Sequence, residues 1–137
     1  MKQPIRPYLH FDENCKEAMQ FYQSIFGGQL DMMQIKDAPD RELFPKDIDH
    51  QIMHASLRNG DFLLMASDMC GQGSPEQGNT MQLSLTCSSE EEINQLYQKL
   101  SEGGKITQEL NEVFWGGLFA MVTDKFGVRW MLSLESK

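Results

Sequence analysis

The sequence predicts an α+β fold built from two tandem strand–helix–strand–strand–strand (βαβββ) modules. Three observations lead there. First, the stretch Gln20-Phe21-Tyr22-Gln23-Ser24-Ile25-Phe26-Gly27-Gly28-Gln29-Leu30 has a counterpart in Gln95-Leu96-Tyr97-Gln98-Lys99-Leu100-Ser101-Glu102-Gly103-Gly104-Lys105-Ile106. Both read as the end of an amphipathic helix, a Gly-Gly stop and then a strand, and such a repeat means two half-domains that cannot each bury an apolar face alone. Second, alternating runs that suit half-buried strands recur in the same order around each copy. Third, Met69–Asn79 is rich in Gly, Ser, Gln and Pro and reads as a linker. The expected organisation is one domain over 1–137, with module 1 at 1–68, the linker at 69–79 and module 2 at 80–137.

The elements follow in order. In Ile5–Phe11, Ile5, Pro7, Leu9 and Phe11 take one face and Arg6, Tyr8 and His10 the other. Asp12–Asn14 opens a helix, and Asn14 with Glu17 has the spacing of a capping box. Ala18, Phe21, Tyr22, Ile25 and Phe26 form its apolar stripe, and Gly27-Gly28 ends it. Leu30–Ile35 is the second strand. Asp37–Asp47, with Pro39 and Pro45, reads as a long surface loop or a flap over a site. Gln51–Arg58 is a strand with Met53, Ala55 and Leu57 on one face and Ile52, His54, Ser56 and Arg58 on the other. Asn59-Gly60 signals a hairpin into Asp61–Ser67. In the second module, Thr80–Cys87 alternates with Met81, Leu83, Leu85 and Cys87 inward. Ser89 and Glu92 form a capping box before the stripe Ile93, Leu96, Tyr97 and Leu100, and Glu90-Glu91-Glu92 suits the positive end of that helix. Lys105–Leu110, Leu118–Thr123 and Val128–Leu134 complete the module, with a turn at Asp124-Lys125-Phe126-Gly127. One face of each sheet lies under a helix, and the other is left to line a cavity when the halves pair.

Composition narrows the function. Twenty acidic residues against twelve basic ones leave a net charge of −8, which argues against a nucleic-acid partner. No apolar run approaches membrane-span length, and Met1–His10 lacks a signal-peptide core. Cys15, Cys70 and Cys87 are odd in number and lack C-x-x-C spacing, which points to free thiols in a reducing cytoplasm. Cys87 falls on the helix side as an inert thiol, and Cys70, in the linker, is the one open to reaction. His54 and His10 each read either as a hydrogen-bonded structural histidine or as a ligand-binding or acid–base group. Trp115 either covers the core edge or walls a pocket. Trp130 alternates with Val128 and Leu132 and belongs to the core. Arg129 shares the Met131 face, where it makes a salt bridge or anchors an anionic ligand.

Three stretches carry a family resemblance. They are Pro7-Tyr8-Leu9 leading to Phe21-Tyr22 and Phe26-Gly27-Gly28; His54-Ala55-Ser56-Leu57 with its hairpin and Asp68; and Phe114-Trp115-Gly116 leading to Asp124-Lys125-Phe126-Gly127-Val128-Arg129-Trp130. In order and spacing the chain resembles the vicinal oxygen chelate superfamily of glyoxalase I, bleomycin-resistance proteins and dioxygenases, in its PhnB-like branch. The resemblance implies paired modules forming an open, cup-shaped, barrel-like sheet, commonly completed in a homodimer. Metal-using relatives place His, Gln or Glu on the first, fourth, fifth and eighth strands. The matching residues here are Arg6 or Tyr8, Met65, Thr80 with Gln82 next, and Met131. A thioether is a poor ligand for hard or borderline ions, and no carboxylate stands at any of the four positions. The resemblance therefore implies no catalytic metal and no cofactor, and it argues against glyoxalase I activity.

The expected protein is a cytoplasmic homodimer that binds a small organic molecule, with no nucleic-acid or membrane partner. The expected contacts are Tyr8, His10, His54, Met65, Gln82, Trp115, Arg129 and Met131. Two alternatives stay open. One is a metal-dependent lyase or dioxygenase-like enzyme with an atypical ion at His10 and His54. The other is a sequestering protein of the bleomycin-resistance kind, whose acidic charge attracts a cationic drug. The methyltransferase label sometimes attached to this branch finds no support, since no S-adenosylmethionine glycine motif is present.

Overall fold

A computed structural model describes residues 2–136. The chain divides into two compact units, one running to Glu76 and the other starting at Gln77. The first holds β1 (Tyr8–Phe11), α1 (Cys15–Phe26), β2 (Gln29–Gln34), β3 (Ile52–Asn59) and β4 (Phe62–Asp68). Its sheet order is β1-β4-β3-β2, with β1 parallel to β4 and the other pairs antiparallel. The second unit repeats the plan with β5 (Leu83–Thr86), α2 (Glu90–Ser101), β6 (Lys105–Glu112), β7 (Leu118–Thr123) and β8 (Arg129–Leu134). Its order is β5-β8-β7-β6, with β5 parallel to β8. Each unit is thus the predicted βαβββ module, and the α+β class holds.

In the first unit, α1 buries Cys15, Ala18, Met19 and Tyr22, spaced i, i+3, i+4, i+7, against Phe11, Ala55, Leu57, Leu64 and Ala66. The predicted stripe is rotated: Phe21, Ile25 and Phe26 are only half-buried. Ile5, expected on the core face, is 97% exposed, because Pro7 has no N–H to carry the ladder back past Tyr8. Ile52, expected on the outer face, is buried. The register between β2 and β3 shifts at Met33/Gln34, so the alternation is broken where Ile52 pairs with Gln34.

The Asn14–Glu17 capping box does not form, since the Asn14 side chain makes no cap bond. Asp68, at the end of β4, takes over. Its Oδ1 accepts from the Cys15 N–H at 2.9 Å and its Oδ2 from the Ile52 N–H at 2.7 Å. A carboxylate that is 3% exposed holds such donors through charge-assisted bonds, roughly twice as strong as neutral ones. In the second unit the Ser89 cap forms as predicted, while Glu92 reaches back to the N–H before Ser89 and not to that of Ser89 itself. Ser89 Oγ accepts from the Glu92 N–H at 3.1 Å, and Glu92 Oε1 accepts from the Ser88 N–H at 2.8 Å. There the buried carboxylate is Asp124, in the β7–β8 turn. It accepts from the Phe126 and Val128 N–H groups and from Trp130 Nε1, at 2.8, 3.1 and 2.9 Å. Trp130 is core, as expected, with Ala120, Val122, Leu132, Ile93 and Leu100. Met81, expected inward, is 79% exposed, because β5 starts only at Leu83. On the β6 edge the pairing with β7 shifts twice, between Ile106 and Gln108 and between Gln108 and Asn111.

The two Gly-Gly pairs divide their work. Gly27 and Gly103 take positive φ, +70° and +75°, past the ends of the helices. Gly28 and Gly104 lie where a Cβ would collide with a neighbouring strand, against the Arg58 carbonyl in one unit and the Thr123 carbonyl in the other. Asn59, at the mouth of the β3–β4 hairpin, also donates from Nδ2 to the Phe26 carbonyl at 2.8 Å, which satisfies one of the open carbonyls at the end of α1.

All three cysteines are free thiols. Burial, with the charge of Asp68 and then Cys70 adding to it, pushes Cys15 up to about 12. Burial, then Glu92, pushes Cys87 up to about 11. Cys70, expected to be the reactive one, is also shifted up, by burial and then by Asp68, and its Sγ donates to the Ile52 carbonyl at 3.5 Å. A raised value keeps the unreactive thiol form at neutral pH.

Three outcomes are expected. Asp68→Ala and Asp124→Ala each lower stability by about 2–4 kcal/mol, since each leaves buried N–H donors unpaired; urea unfolding measures this. Gly28→Ala and Gly104→Ala each cost about 2 kcal/mol or more, while Gly78→Ala, which meets nothing within 4 Å, leaves the midpoint in place. Iodoacetamide at a pH of about 8, below the raised thiol values, leaves Cys15 and Cys87 unmodified in the folded chain over a time that labels all three thiols in urea, as read by intact mass.

Candidate functional site

The alternation that buries Phe11, Leu64, Ala66, Ala55 and Leu57 under α1 sends their neighbours to the opposite face of the first sheet. The register brings these together: Tyr8 pairs with Met65, His10 with Ser67, Ser56 with Met65, and Met33 with His54. The Tyr8 ring reaches across the sheet. Its centroid lies 5.4 Å from that of His10 and 5.8 Å from that of His54, tilted at 43° and 40°. Tyr8 Oη stands 3.2 Å from His54 Nδ1, and Ser67 Oγ stands 3.2 Å from His10 Nδ1. With the ring proton on Nε2, each hydroxyl donates to Nδ1, and each imidazole turns an N–H donor outward. Tyr8 is 41% exposed and both histidines are exposed, whereas Ser67 beneath them is 5% exposed. Four of the expected site residues, Tyr8, His10, His54 and Met65, therefore share one open face of mixed polar and apolar character.

The other four lie in the second unit. Met131 pairs with Ser84 and with Met121, and Arg129 pairs with Thr123 on the same face. Arg129 Nε is buried and has no hydrogen-bond partner among the described residues, so the salt bridge that sequence allows for Arg129 is not made there. Trp115, in the β6–β7 connection, is 63% exposed. It packs edge-on against Phe114 at 4.8 Å and Phe119 at 6.3 Å. Gln82 precedes β5 and is half-buried.

Sequence reasoning missed Met33, Ser67, Phe119 and Met121. Period-2 alternation marks the parity of each, but only the register shows that Met33 falls opposite His54 and Met121 opposite Met131.

The donor set does not fit the divalent ion that metal-using relatives hold. Among the described residues no group of three His, Cys, Asp or Glu side chains could hold an ion. The positions matching the family's ligands carry the thioethers of Met65 and Met131, the Thr80 hydroxyl with the Gln82 amide next to it, and Arg6 or Tyr8, with no carboxylate among them. What the open face offers a ligand is hydrogen bonding, ring surface and thioether contact.

Known proteins resemble this chain over nearly its whole length. Protein YjdN of Escherichia coli (strain K12) is 32% identical over 144 residues, spanning 96% of this chain and 95% of that protein. The crystal structure of protein PA1353 from Pseudomonas aeruginosa superposes with a TM-score of 0.88 at 39% identity, over 99% of this chain and 100% of that one. The PhnB protein from Bacillus cereus gives 0.76 at 27% identity, over 96% and 99%. With a family model matching residues 5–132 in addition to this shared βαβββ repeat, the chain belongs to the Glyoxalase/Bleomycin resistance protein/Dioxygenase superfamily.

Proposed function

We propose that this protein binds a small organic molecule on the open face of its first sheet, in the PhnB-like manner of the family, without a catalytic metal. One observation carries the reading: Tyr8, His10 and His54 form a joined ring cluster on an exposed face, where nothing in the core requires them. Exposed aromatic side chains that present both ring faces and hydrogen-bonding atoms suit a flat ligand with a polar group. Met65, paired with Tyr8 on that face, supplies a polarizable, adaptable surface. For the second sheet we propose Gln82, Trp115, Arg129 and Met131 as contacts, with the Arg129 guanidinium suited to an acidic group.

The protein is further read as a cytoplasmic homodimer. Three free thiols fit a reducing compartment, and no helix among the described residues is long and apolar enough to cross a membrane.

A melting-point screen against small aromatic acids and cationic glycopeptides tests the reading, since a ligand of the native state raises the midpoint. An aromatic acid is expected to raise it. Tyr8→Phe then weakens that ligand by about tenfold, the worth of one hydrogen bond, and His54→Ala weakens it further, with little change in the midpoint of the free protein. A ligand bound equally well by both variants, or no shift from any compound, would sink the idea. A shift from the glycopeptides alone would favour sequestration instead.

A further inference from the structure

The connection between β2 and β3, residues 35–51, forms a hollow in the first unit, and none of its lining residues belongs to the ring cluster. Its volume is about 600 Å³, within the range of small-molecule sites. Lys36, Arg41 and Lys46 line it with Glu42 and Asp49, and Phe44 and Pro45 supply its apolar wall.

This segment is not the open loop that its polar sequence suggests. It is three successive 3-10 turns, at 35–37, 41–43 and 46–48. Its two ends are tied together: the Ile35 N–H donates to the Gln51 carbonyl at 2.9 Å and the Lys36 N–H to the Asp49 carbonyl at 3.0 Å. Ile35 and Ala38 are buried at 1% and 5% exposure and fasten the segment to the core. The Phe44 N–H to Arg41 carbonyl bond and the Asp49 N–H to Lys46 carbonyl bond, both 3.2 Å, fix the turns that present the cations. A ligand entering such a prebuilt hollow loses little to ordering the chain.

The charges lack partners. Among the described residues, none of the three cations has a carboxylate within 4.0 Å. Arg41 Nη1 donates to the Lys36 carbonyl at a long 3.4 Å, leaving most of its fork of donors unused. The lining carries three cations and two carboxylates, an excess of one positive charge in a chain whose net charge is −8. Asp37, Asp40 and Asp47 stand next to these cations in the same segment, inside the distance of about 8 Å over which salt leaves charges effective, so what favours an anion is the three cations that line the hollow and not net charge.

We infer that this hollow is a second ligand site and that it takes an organic oxyanion with a flat apolar body. The Arg41 guanidinium matches a carboxylate or phosphate in two-point geometry. Lys36 and Lys46 add attraction without directional demand, and Phe44 offers a ring for the apolar part. With five carboxylates in the segment against three cations, the fit is to a molecule of low negative charge and not to a polyphosphate.

Titration of the full ¹⁵N-labelled chain with phenyl phosphate and, separately, benzoate tests this, with inorganic phosphate and benzylamine as the comparison arms. The expected result is saturable amide shifts confined to residues 36–49 with at least one of the two oxyanions, weaker with inorganic phosphate and absent with benzylamine. The Arg41→Gln/Lys46→Gln variant, altered only at exposed positions, is expected to bind about tenfold or more weakly with an unchanged melting point. Non-saturating shifts, an equal response to inorganic phosphate, or unchanged affinity in the variant would overturn the inference. So would shifts at Tyr8, His10 and His54 in place of the loop, an outcome that leaves the first site standing and removes this one.

Discussion

The Asp68 carboxylate is the fixed point of the first unit. It closes β4, starts α1 through Cys15 and starts β3 through Ile52. Three elements thus share one buried charge, and the β1–β4–β3 register is fixed where they meet. That register decides which residues see solvent. If β1 slipped by one position against β4, Leu9 and Phe11 would turn outward and Tyr8 and His10 would turn under the helix. The ring cluster and the apolar core are therefore consequences of a single alignment.

The second unit reaches the same topology by other means. Its helix is started by its own Ser89 and Glu92, so its buried carboxylate serves elsewhere. Asp124 closes the β7–β8 turn and holds the Trp130 indole. What both units keep in common is steric. A helix that must return beneath its own sheet within two residues passes so near a strand carbonyl that the second residue can carry no side chain. This is why the Gly-Gly pair is the most visible part of the repeat.

Much of this is legible in the sequence. Order and type of the strands and helices follow from period-2 and period-3.6 patterning, and β7 runs from Leu118 to Thr123 as read. Sequence and structure part where a distant group overrides a local one. Asn14 has the look of a cap, but a carboxylate 53 positions along the chain from Cys15 occupies that role. Ile52 breaks alternation because of a bulge that only pairing reveals. The candidate face is half legible. Parity puts Tyr8, His10, His54 and Met65 forward, but the contact between Tyr8 and His54 depends on register across three strands. The prebuilt turns at 35–48 are not legible, since polar, Pro-containing sequence suits a loose loop equally well.

The twice-shifted β6 edge has its own consequence. A regular outer strand offers an unbroken row of amide and carbonyl groups on which another chain can grow a sheet. Here the row is interrupted by the two shifts and lined with Lys105, Glu109 and Glu112. Such an edge discourages stacking into fibrils even at high concentration, and it does so without lengthening the chain.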